Sequence, residues 1–299
     1  MLVRIENKSP GSMLPGGQRP TWLRAPAPVG DNYRQLKQLV EDLQLHTVCE
    51  SAACPNIGDC WNRRTATFMI LGNVCTRRCG FCAVQKGGPL PVDYDEPRRV
   101  AEACAALGLK FAVITSVNRD DRKDGGAELF AMTIRAIRER IQGCGVEVLV
   151  PDFQGSHAAM DTVLEAAPDI LNHNTETVPR LYRQVRLGAR YERSLDMLAY
   201  VKKAAPSGAS PPTKSGLMLG LGETLDEVAS VMRDLRSANV DILTLGQYLR
   251  PSAKHLPIIR YVPVEEFAEL KRLGYEMGFR HVESGPLVRS SYHAADAVQ

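Results

Sequence analysis

The chain has 299 residues, 44% of them hydrophobic and 24% charged, a balance that excludes disorder over most of the length and allows a full-sized buried core. Its 37 basic and 34 acidic side chains are scattered and leave a net charge of +3, which argues against a nucleic-acid partner. No run of about 18 apolar residues offers a membrane span, and the opening Met1-Leu-Val-Arg-Ile-Glu-Asn-Lys-Ser-Pro lacks the apolar centre of a signal peptide, so a cytoplasmic location away from membranes is expected.

Residues 1 to about 33 are rich in Pro and Gly (Pro15-Gly16-Gly17, Pro20, Pro26, Pro28, Gly30) and carry no sustained period, which predicts an extended arm. Between Asn32 and His46 the apolar residues Leu36, Leu39, Val40 and Leu43 recur at three and four positions, the spacing of one buried helical stripe. From Ala66 onward strands and helices alternate. Strand-like runs fall at Ala66 to Leu71, Phe111 to Thr115, Val146 to Val150, Ile170 to His173, Ser215 to Leu219 and Ile242 to Leu245. Between them, Phe130, Ile134, Ile137 and Ile141, then Leu225, Val228, Val231, Met232 and Leu235, each mark one apolar helix face. Six such units predict an α/β fold with a parallel sheet, a partial (β/α)6 TIM-like barrel whose chemistry gathers at the C-terminal strand ends. A doubly wound open sheet is the competing architecture, since periodicity does not fix strand order. The expected parts are an arm with a cluster motif (1–64), the barrel (65–280) and a C-terminal extension (281–299).

Eight cysteines are many for a cytosolic chain, where disulfides are rare, and their grouping points to metal or redox chemistry. The first strand runs into Gly72-Asn-Val-Cys75-Thr-Arg-Arg-Cys79-Gly-Phe-Cys82. Three thiolates on one short loop suit three irons of a [4Fe–4S] cluster and leave the fourth iron open to a substrate. A zinc knuckle is the competing reading, but structural zinc takes four closed ligands, commonly from two separated Cys pairs. A second triad lies upstream at Cys49, Cys54 and Cys60. It too lacks a fourth thiolate, so either one iron is open or a distant oxygen or nitrogen completes the set. Cys104 shares a helical face with Val100, Ala103 and Leu107, and Cys144 sits in a Gly-Cys-Gly turn; both read as small buried hydrophobes. Trp61 and Phe68 read as core filling.

A three-Cys loop after the first strand of such a barrel resembles the radical S-adenosylmethionine superfamily, with Cys75, Cys79 and Cys82 on its CxxxCxxC motif. Within it, the triad Cys49, Cys54, Cys60 and the terminal Arg289-Ser290-Ser291-Tyr292 resemble the lipoyl synthase family. So do Pro20-Thr-Trp-Leu-Arg24, Thr115-Ser-Val-Asn-Arg-Asp-Asp121, Asn172-His-Asn-Thr-Glu-Thr-Val-Pro, Lys214-Ser-Gly-Leu-Met-Leu-Gly-Leu-Gly-Glu223 and Gln247-Tyr-Leu-Arg-Pro-Ser. The resemblance implies two [4Fe–4S] clusters and S-adenosyl-L-methionine as cofactors. The methionyl amine and carboxylate of S-adenosylmethionine would chelate the open iron at Cys75, Cys79 and Cys82, and its reductive cleavage would give a 5′-deoxyadenosyl radical. Ser291 would supply an alkoxide ligand to the auxiliary cluster, whose sulfides would be spent as two sulfur atoms enter C6 and C8 of a protein-bound octanoyl-lysine. Those carbons carry no acidic proton, so acid–base chemistry does not activate them.

The partners implied are octanoylated lipoyl-carrier domains (the E2 subunits of 2-oxoacid dehydrogenases and the glycine cleavage H protein), an electron donor such as flavodoxin or ferredoxin, and a cluster-repair protein. Phe81 would lie near the adenine. Asn118, Arg119 and Asp121 after the second strand, and Asn172 and Asn174 after the fourth, are candidate cofactor contacts; a solvated loop and a helix cap are the plainer readings. Lys214 reads equally as a cofactor contact or as one half of a salt bridge. One departure is Asp124-Gly-Gly-Ala-Glu128, where many superfamily members carry Gly-Gly-Glu to hold the methionyl amine; Ala127 cannot do that. Another radical S-adenosylmethionine enzyme, such as a methylthiotransferase or biotin synthase, is the alternative in the same class. A two-cluster electron carrier is the alternative outside it.

Overall fold

The computed structural model describes residues 2–3, 20–63, 65–204 and 210–291. Pro15-Gly16-Gly17 of the arm and Tyr292 of the terminal motif lie outside the described residues. Strands β1 (Thr67–Ile70), β2 (Phe111–Ser116), β3 (Gly145–Leu149), β4 (Ile170–Asn172), β5 (Thr213–Leu219), β6 (Ile242–Gln247) and β7 (His281–Gly285) form one seven-stranded sheet. Every pairing is parallel and the spatial order follows the chain from β1 to β7. A doubly wound sheet reverses its strand order at a switch point. Here no reversal occurs, so the sheet is the wall of a barrel, left open between β1 and β7.

Six of these strands lie where alternation predicts them, and the count of six is corrected by β7, which falls in the expected C-terminal extension. Its sequence, His-Val-Glu-Ser-Gly, buries only Val282, so a strand at the sheet edge lacks the apolar run that marks the others. The opposite edge, β1, is covered by the segment before it: the Met69 amide donates to the His46 carbonyl at 2.8 Å, and Thr47 bridges Phe68 antiparallel. This blunts an edge whose four residues are all buried.

The helices are α1 (Asp31–Asp42), α2 (Val48–Ser51), α3 (Ile57–Asn62), α4 (Glu96–Ala106), α5 (Ala127–Arg140), α6 (His157–Glu165), α7 (Tyr191–Ala204), α8 (Leu225–Ser237) and α9 (Val264–Glu276), with one further helical turn, Tyr182–Val185, between β4 and α7. In α8 a capping box fixes the start: the Glu227 amide donates to Thr224 Oγ1 at 3.2 Å, and the Thr224 amide to Glu227 Oε2 at 2.9 Å. Its buried stripe is Val228, Val231, Met232 and Leu235. Two apolar cores result, one around β1 to β4 that includes Cys104 and Cys144, the other around β5 to β7. No helix among the described residues is long and apolar enough to cross a membrane.

Candidate cluster and cofactor site

The C-terminal ends of the strands open onto the loops that carry both cysteine triads. After β1 the chain forms a two-residue strand, Val74–Cys75, paired parallel with Gln85–Lys86, so Cys79 and Cys82 lie on the cysteine loop that connects them. The loop after β2 holds this cysteine loop: the Asn118 amide donates to Cys75 Sγ at 3.3 Å, and Thr76 donates to the Asn118 carbonyl through its amide (3.1 Å) and its hydroxyl (2.9 Å). Arg77, between two cysteines of the motif, is buried and clamps the cysteine loop further. Its guanidinium reaches both oxygens of Asp120 at 2.7 and 2.9 Å and Asp152, just past β3, at 2.5 Å.

The cysteine loop is also strapped by the chain after β6. His255 Nε2 lies 3.1 Å from the Cys82 carbonyl, and the Leu256 amide donates to the Gly80 carbonyl at 3.1 Å. A Cβ on Gly80 would stand 2.9 Å from Leu256 and 3.0 Å from the Gln184 carbonyl, so only glycine admits this approach. Burial pushes the Cys79 thiol up to about 11, with Cys82 and Cys75 adding to the rise and Arg186 opposing it. Burial raises Cys82 as well.

The upstream triad is built around α2 and α3. Thr47 caps α2, accepting from the Glu50 amide at 3.3 Å, and sets Cys49 in the buried first turn. Cys54 and Cys60 are half-buried, Cys60 within α3. Burial pushes Cys60 up to about 12 and Cys49 to about 11, in each case with Cys54 adding to it. Trp61, fully buried and tilted against Tyr33 at a centroid distance of 5.1 Å, has an Nε1–H without a hydrogen-bond partner. It lies on the Cys49 side of the triad and favours the thiolate there.

Two thiols of each triad, Cys49 and Cys60 in one and Cys79 and Cys82 in the other, therefore resist ionising and are stable as thiolates only around concentrated positive charge. Among the described residues no three His, Cys, Asp or Glu converge on the point a single ion would occupy. In a cubane each thiolate takes its own iron, and the residues present fit that group.

Ser291, half-buried in a turn, ends a segment that leaves β7 and crosses the top of the barrel. The Gln247 amide donates to the Pro286 carbonyl at 3.3 Å, and Asn56, between Cys54 and Cys60, donates through Nδ2 to the Leu287 carbonyl at 2.7 Å. Arg289 faces both Cys54 and Glu176. Glu176 sits past β4 in a left-handed conformation (φ 66°), locked by its amide to the Gly216 carbonyl at 2.8 Å and by its own carbonyl to the Met218 amide at 2.9 Å. Burial raises its carboxyl, against the pull of Arg186 and Arg289. Arg186 in turn faces Cys79 and donates to the Asn174 carbonyl at 2.6 Å. Arg289, Glu176 and Arg186 thus act on one another, on Cys54 and on Cys79 through charge rather than through contact ion pairs.

Of the other candidates, Phe81 is half-buried on the second core. Asn118, Asn172 and Asn174 each keep a buried Oδ1 without a partner. Asn174 Nδ2 donates to Glu176 at 3.2 Å. Arg119 is buried and pairs with Asp121 at 2.8 Å. Asn172 and Lys214 both meet Glu147, at 2.8 and 3.1 Å, in a buried trio spanning β3, β4 and β5. Sequence reasoning passed over Arg77, Asp152, Arg186, Glu147 and His255. Arg77 reads as a spacer inside the cysteine motif, and no pattern in the chain announces a partner 75 residues away.

An open parallel barrel with a three-thiolate loop after its first strand defines a radical S-adenosylmethionine enzyme. The profile of the radical SAM superfamily matches residues 69–235, and that of the N-terminal domain of lipoyl synthase of this family matches residues 11–54. The chain is 64% identical to lipoyl synthase of Koribacter versatilis, over 92% of this chain and 90% of that one. It is 60% identical to lipoyl synthase of Rubrobacter xylanophilus (94% and 87%) and 53% identical to mitochondrial lipoyl synthase of Nematostella vectensis (94% and 95%). The chain belongs to the lipoyl synthase family, and its cofactors are two [4Fe–4S] clusters and S-adenosylmethionine. Among solved structures, methylornithine synthase matches with a TM-score of 0.55 at 13% identity, over 84% of this chain and 81% of that one. The maturase HydG from Carboxydothermus hydrogenoformans matches at 0.54 and 14%, over 89% and 77%. These two speak for the fold alone.

Proposed function

We propose that Cys75, Cys79 and Cys82 hold the cluster that cleaves S-adenosylmethionine, while Cys49, Cys54, Cys60 and Ser291 hold the auxiliary cluster, the sacrificial source of both sulfur atoms. The observation that carries this reading is the 2.7 Å bond from Asn56 Nδ2 to the Leu287 carbonyl, because it brings the terminal segment to the loop of the upstream triad. When bound, the clusters and S-adenosylmethionine supply the electron, the hydrogen-abstracting radical and the sulfur. The chain's residues hold and shield them. A serine oxygen binds iron less firmly than a thiolate does, so it is a ligand suited to release.

Asn118 and Asn174 offer unpartnered buried acceptors at the ends of β2 and β4, which suit the amine and ribose hydroxyls of S-adenosylmethionine, and Phe81 offers a face to its adenine. Arg119 and Asp121, already paired, fix the shape of the loop beside them; Asn172 and Lys214, joined to Glu147, form the wall beneath. Residues 1–64 and 281–299 serve the auxiliary cluster and residues 65–280 the radical chemistry, with 281–285 also completing the sheet.

The substrate is an octanoyl-lysine on a lipoyl-carrier domain, an E2 subunit of a 2-oxoacid dehydrogenase or the glycine cleavage H protein, met in a transient complex in the cytoplasm. Flavodoxin or ferredoxin delivers electrons and a repair protein rebuilds the spent cluster. The test is anaerobic reconstitution followed by mass spectrometry of an octanoylated peptide. Wild type gains two sulfurs. Ser291→Ala forms 5′-deoxyadenosine with little sulfur addition, and full product from that variant would refute the ligand role.

A further inference from the structure

We infer that Asn56 is a positioning residue that latches the C-terminal arm, residues 286–291, to the auxiliary triad and so sets where Ser291 stands; the inference rests on the ligand role proposed for Ser291. Asn56 occupies the N-cap of α3, where an asparagine side chain ordinarily accepts from a helix amide. It makes no such bond. Its backbone is already turned near the helical region (φ −90°, ψ 2°), and its side chain, 4% exposed, spends its donor on the Leu287 carbonyl at 2.7 Å, 231 residues away in sequence. Asn56 lies two residues past Cys54 and four before Cys60, so the latch joins the arm to the turn that spaces two of the three thiols.

A second observation makes the same crossing necessary. At Gly246 on β6, a Cβ would stand 2.1 Å from the Val288 carbonyl, a separation no side chain tolerates. The arm therefore lies directly on the β6 backbone, and a residue with any side chain there would lift it. Apart from these contacts, the described arm is held by the burial of Val288, 6% exposed, by the Pro286 carbonyl on the Gln247 amide and by the Val288 amide on the Gly285 carbonyl, at 3.3 and 3.1 Å. Of all these contacts, the buried donor from the triad loop is the one that ties the arm to the cysteines. Ser291 is three residues beyond Val288, within one turn of the anchor, so loosening either contact moves the hydroxyl away from the triad while leaving every cysteine in place.

The test uses two variants of the full chain that act by different routes: Asn56→Leu, which removes the donor at nearly constant size, and Gly246→Ala, which keeps Asn56 and displaces Val288. Hydrogen exchange across residues 286–291 is followed in the cluster-free chain and in the reconstituted holoenzyme. The Mössbauer spectrum of the auxiliary cluster is recorded in a Cys75→Ala/Cys79→Ala/Cys82→Ala background, so that only its iron is read. Both variants are expected to speed exchange of the arm by about threefold to tenfold and to move the spectrum toward that of Ser291→Ala. In the holoenzyme they lower sulfur inserted per 5′-deoxyadenosine formed. Unchanged exchange in both variants overturns the latch, as does faster exchange with an unmoved spectrum where Ser291→Ala moves it. If Ser291→Ala itself leaves the spectrum unaltered, the ligand role of Ser291 has failed, and the exchange measurement alone then decides whether Asn56 docks the arm.

Discussion

The guanidinium of Arg77 donates to the carboxylate of Asp152 at 2.5 Å, joining the Cys75–Cys82 loop to the loop that follows β3. Asp152 is fully buried and is also reached by Arg193 at 3.3 Å. Beyond it, Phe153, Gln154 and Gly155 all adopt positive φ, of 42°, 54° and 87°. Such a run is costly, and it is held in place by the Gln154 amide on Asp152 at 3.1 Å and by Gln154 Nε2 on the Asp120 carbonyl at 3.1 Å. The ion pairs that fix the cysteine loop also lock the turn.

Replacing Arg77 with Met strips the cysteine loop of its clamp and leaves Asp152 with the weaker Arg193 contact. Removing one partner of a buried pair costs about 3–5 kcal/mol, and the remaining partner places the expected loss at the lower end. Urea denaturation of the cluster-free chain measures it. In the holoenzyme, iron at the Cys75–Cys82 triad should fall while iron at the upstream triad persists. Equal loss from both would show that Arg77 supports the whole fold rather than the cysteine loop.

His173 sets an acid limit on stability. Its ring is buried, with Nδ1 2.9 Å from the Val150 carbonyl and Nε2 2.9 Å from Ser194 Oγ, so Nδ1 donates and Nε2 accepts. Burial first, and then Arg186, lowers its pKa from 6.5 to about 4. A histidine kept neutral in the fold stabilises it fully above the unfolded value, and the contribution is lost as pH falls from 6.5 toward 4. The cluster-free chain should lose about 2–3 kcal/mol across that window, and His173→Gln should flatten the slope. Asp152, held below the ordinary carboxylate range by Arg77 despite its burial, follows the same sign at lower pH, its share being lost only beneath about pH 4.

Lys214 and Glu147 lie 2% and 0% exposed. Lys214→Met leaves a buried carboxylate facing only Asn172 and should cost about 3–5 kcal/mol, whereas Lys214→Met with Glu147→Leu should recover most of the loss. Denaturation midpoints of the three variants give the coupling. If the single variant is as stable as wild type but binds S-adenosylmethionine poorly, Lys214 touches the cofactor rather than completing the wall.

Trp61→Phe keeps the packing against Tyr33 and removes the N–H on the Cys49 side of the triad. Hydrogen bonds to cluster sulfurs stabilise the reduced state. The auxiliary cluster of this variant should therefore reduce at a more negative potential, with the other cluster unmoved, in a redox titration followed by electron paramagnetic resonance. Equal shifts in both clusters would point to general loosening.

Much of this enzyme is written in short-range pattern. Continuous apolar runs place β1 to β6 within a few residues, because these strands are buried on both faces, and a period of three to four places α1, α4, α5 and α8, which bury one. The cysteine spacings announce cluster chemistry because a cubane is bound from within one loop. A carboxylate at Glu147, flanked by Val146 and Val148, looks like ordinary strand alternation, and only its neighbours on two adjacent strands make it the anchor of Lys214 and Asn172. The bond from Asn56 to the Leu287 carbonyl is equally silent in sequence.

The amino-acid order by itself determined the parallel α/β wall, the two cysteine triads and, through the terminal motif, the family to which the chain belongs. Tertiary structure alone decided that β7 completes the sheet, that Arg77 and His255 both grip the cysteine loop, and that the C-terminal arm returns over Gly246 to Asn56. The division has a physical cause: periodicity and spacing report which face of a segment is buried, while the partner of a buried charge or amide is chosen by proximity in space, which chain order does not encode.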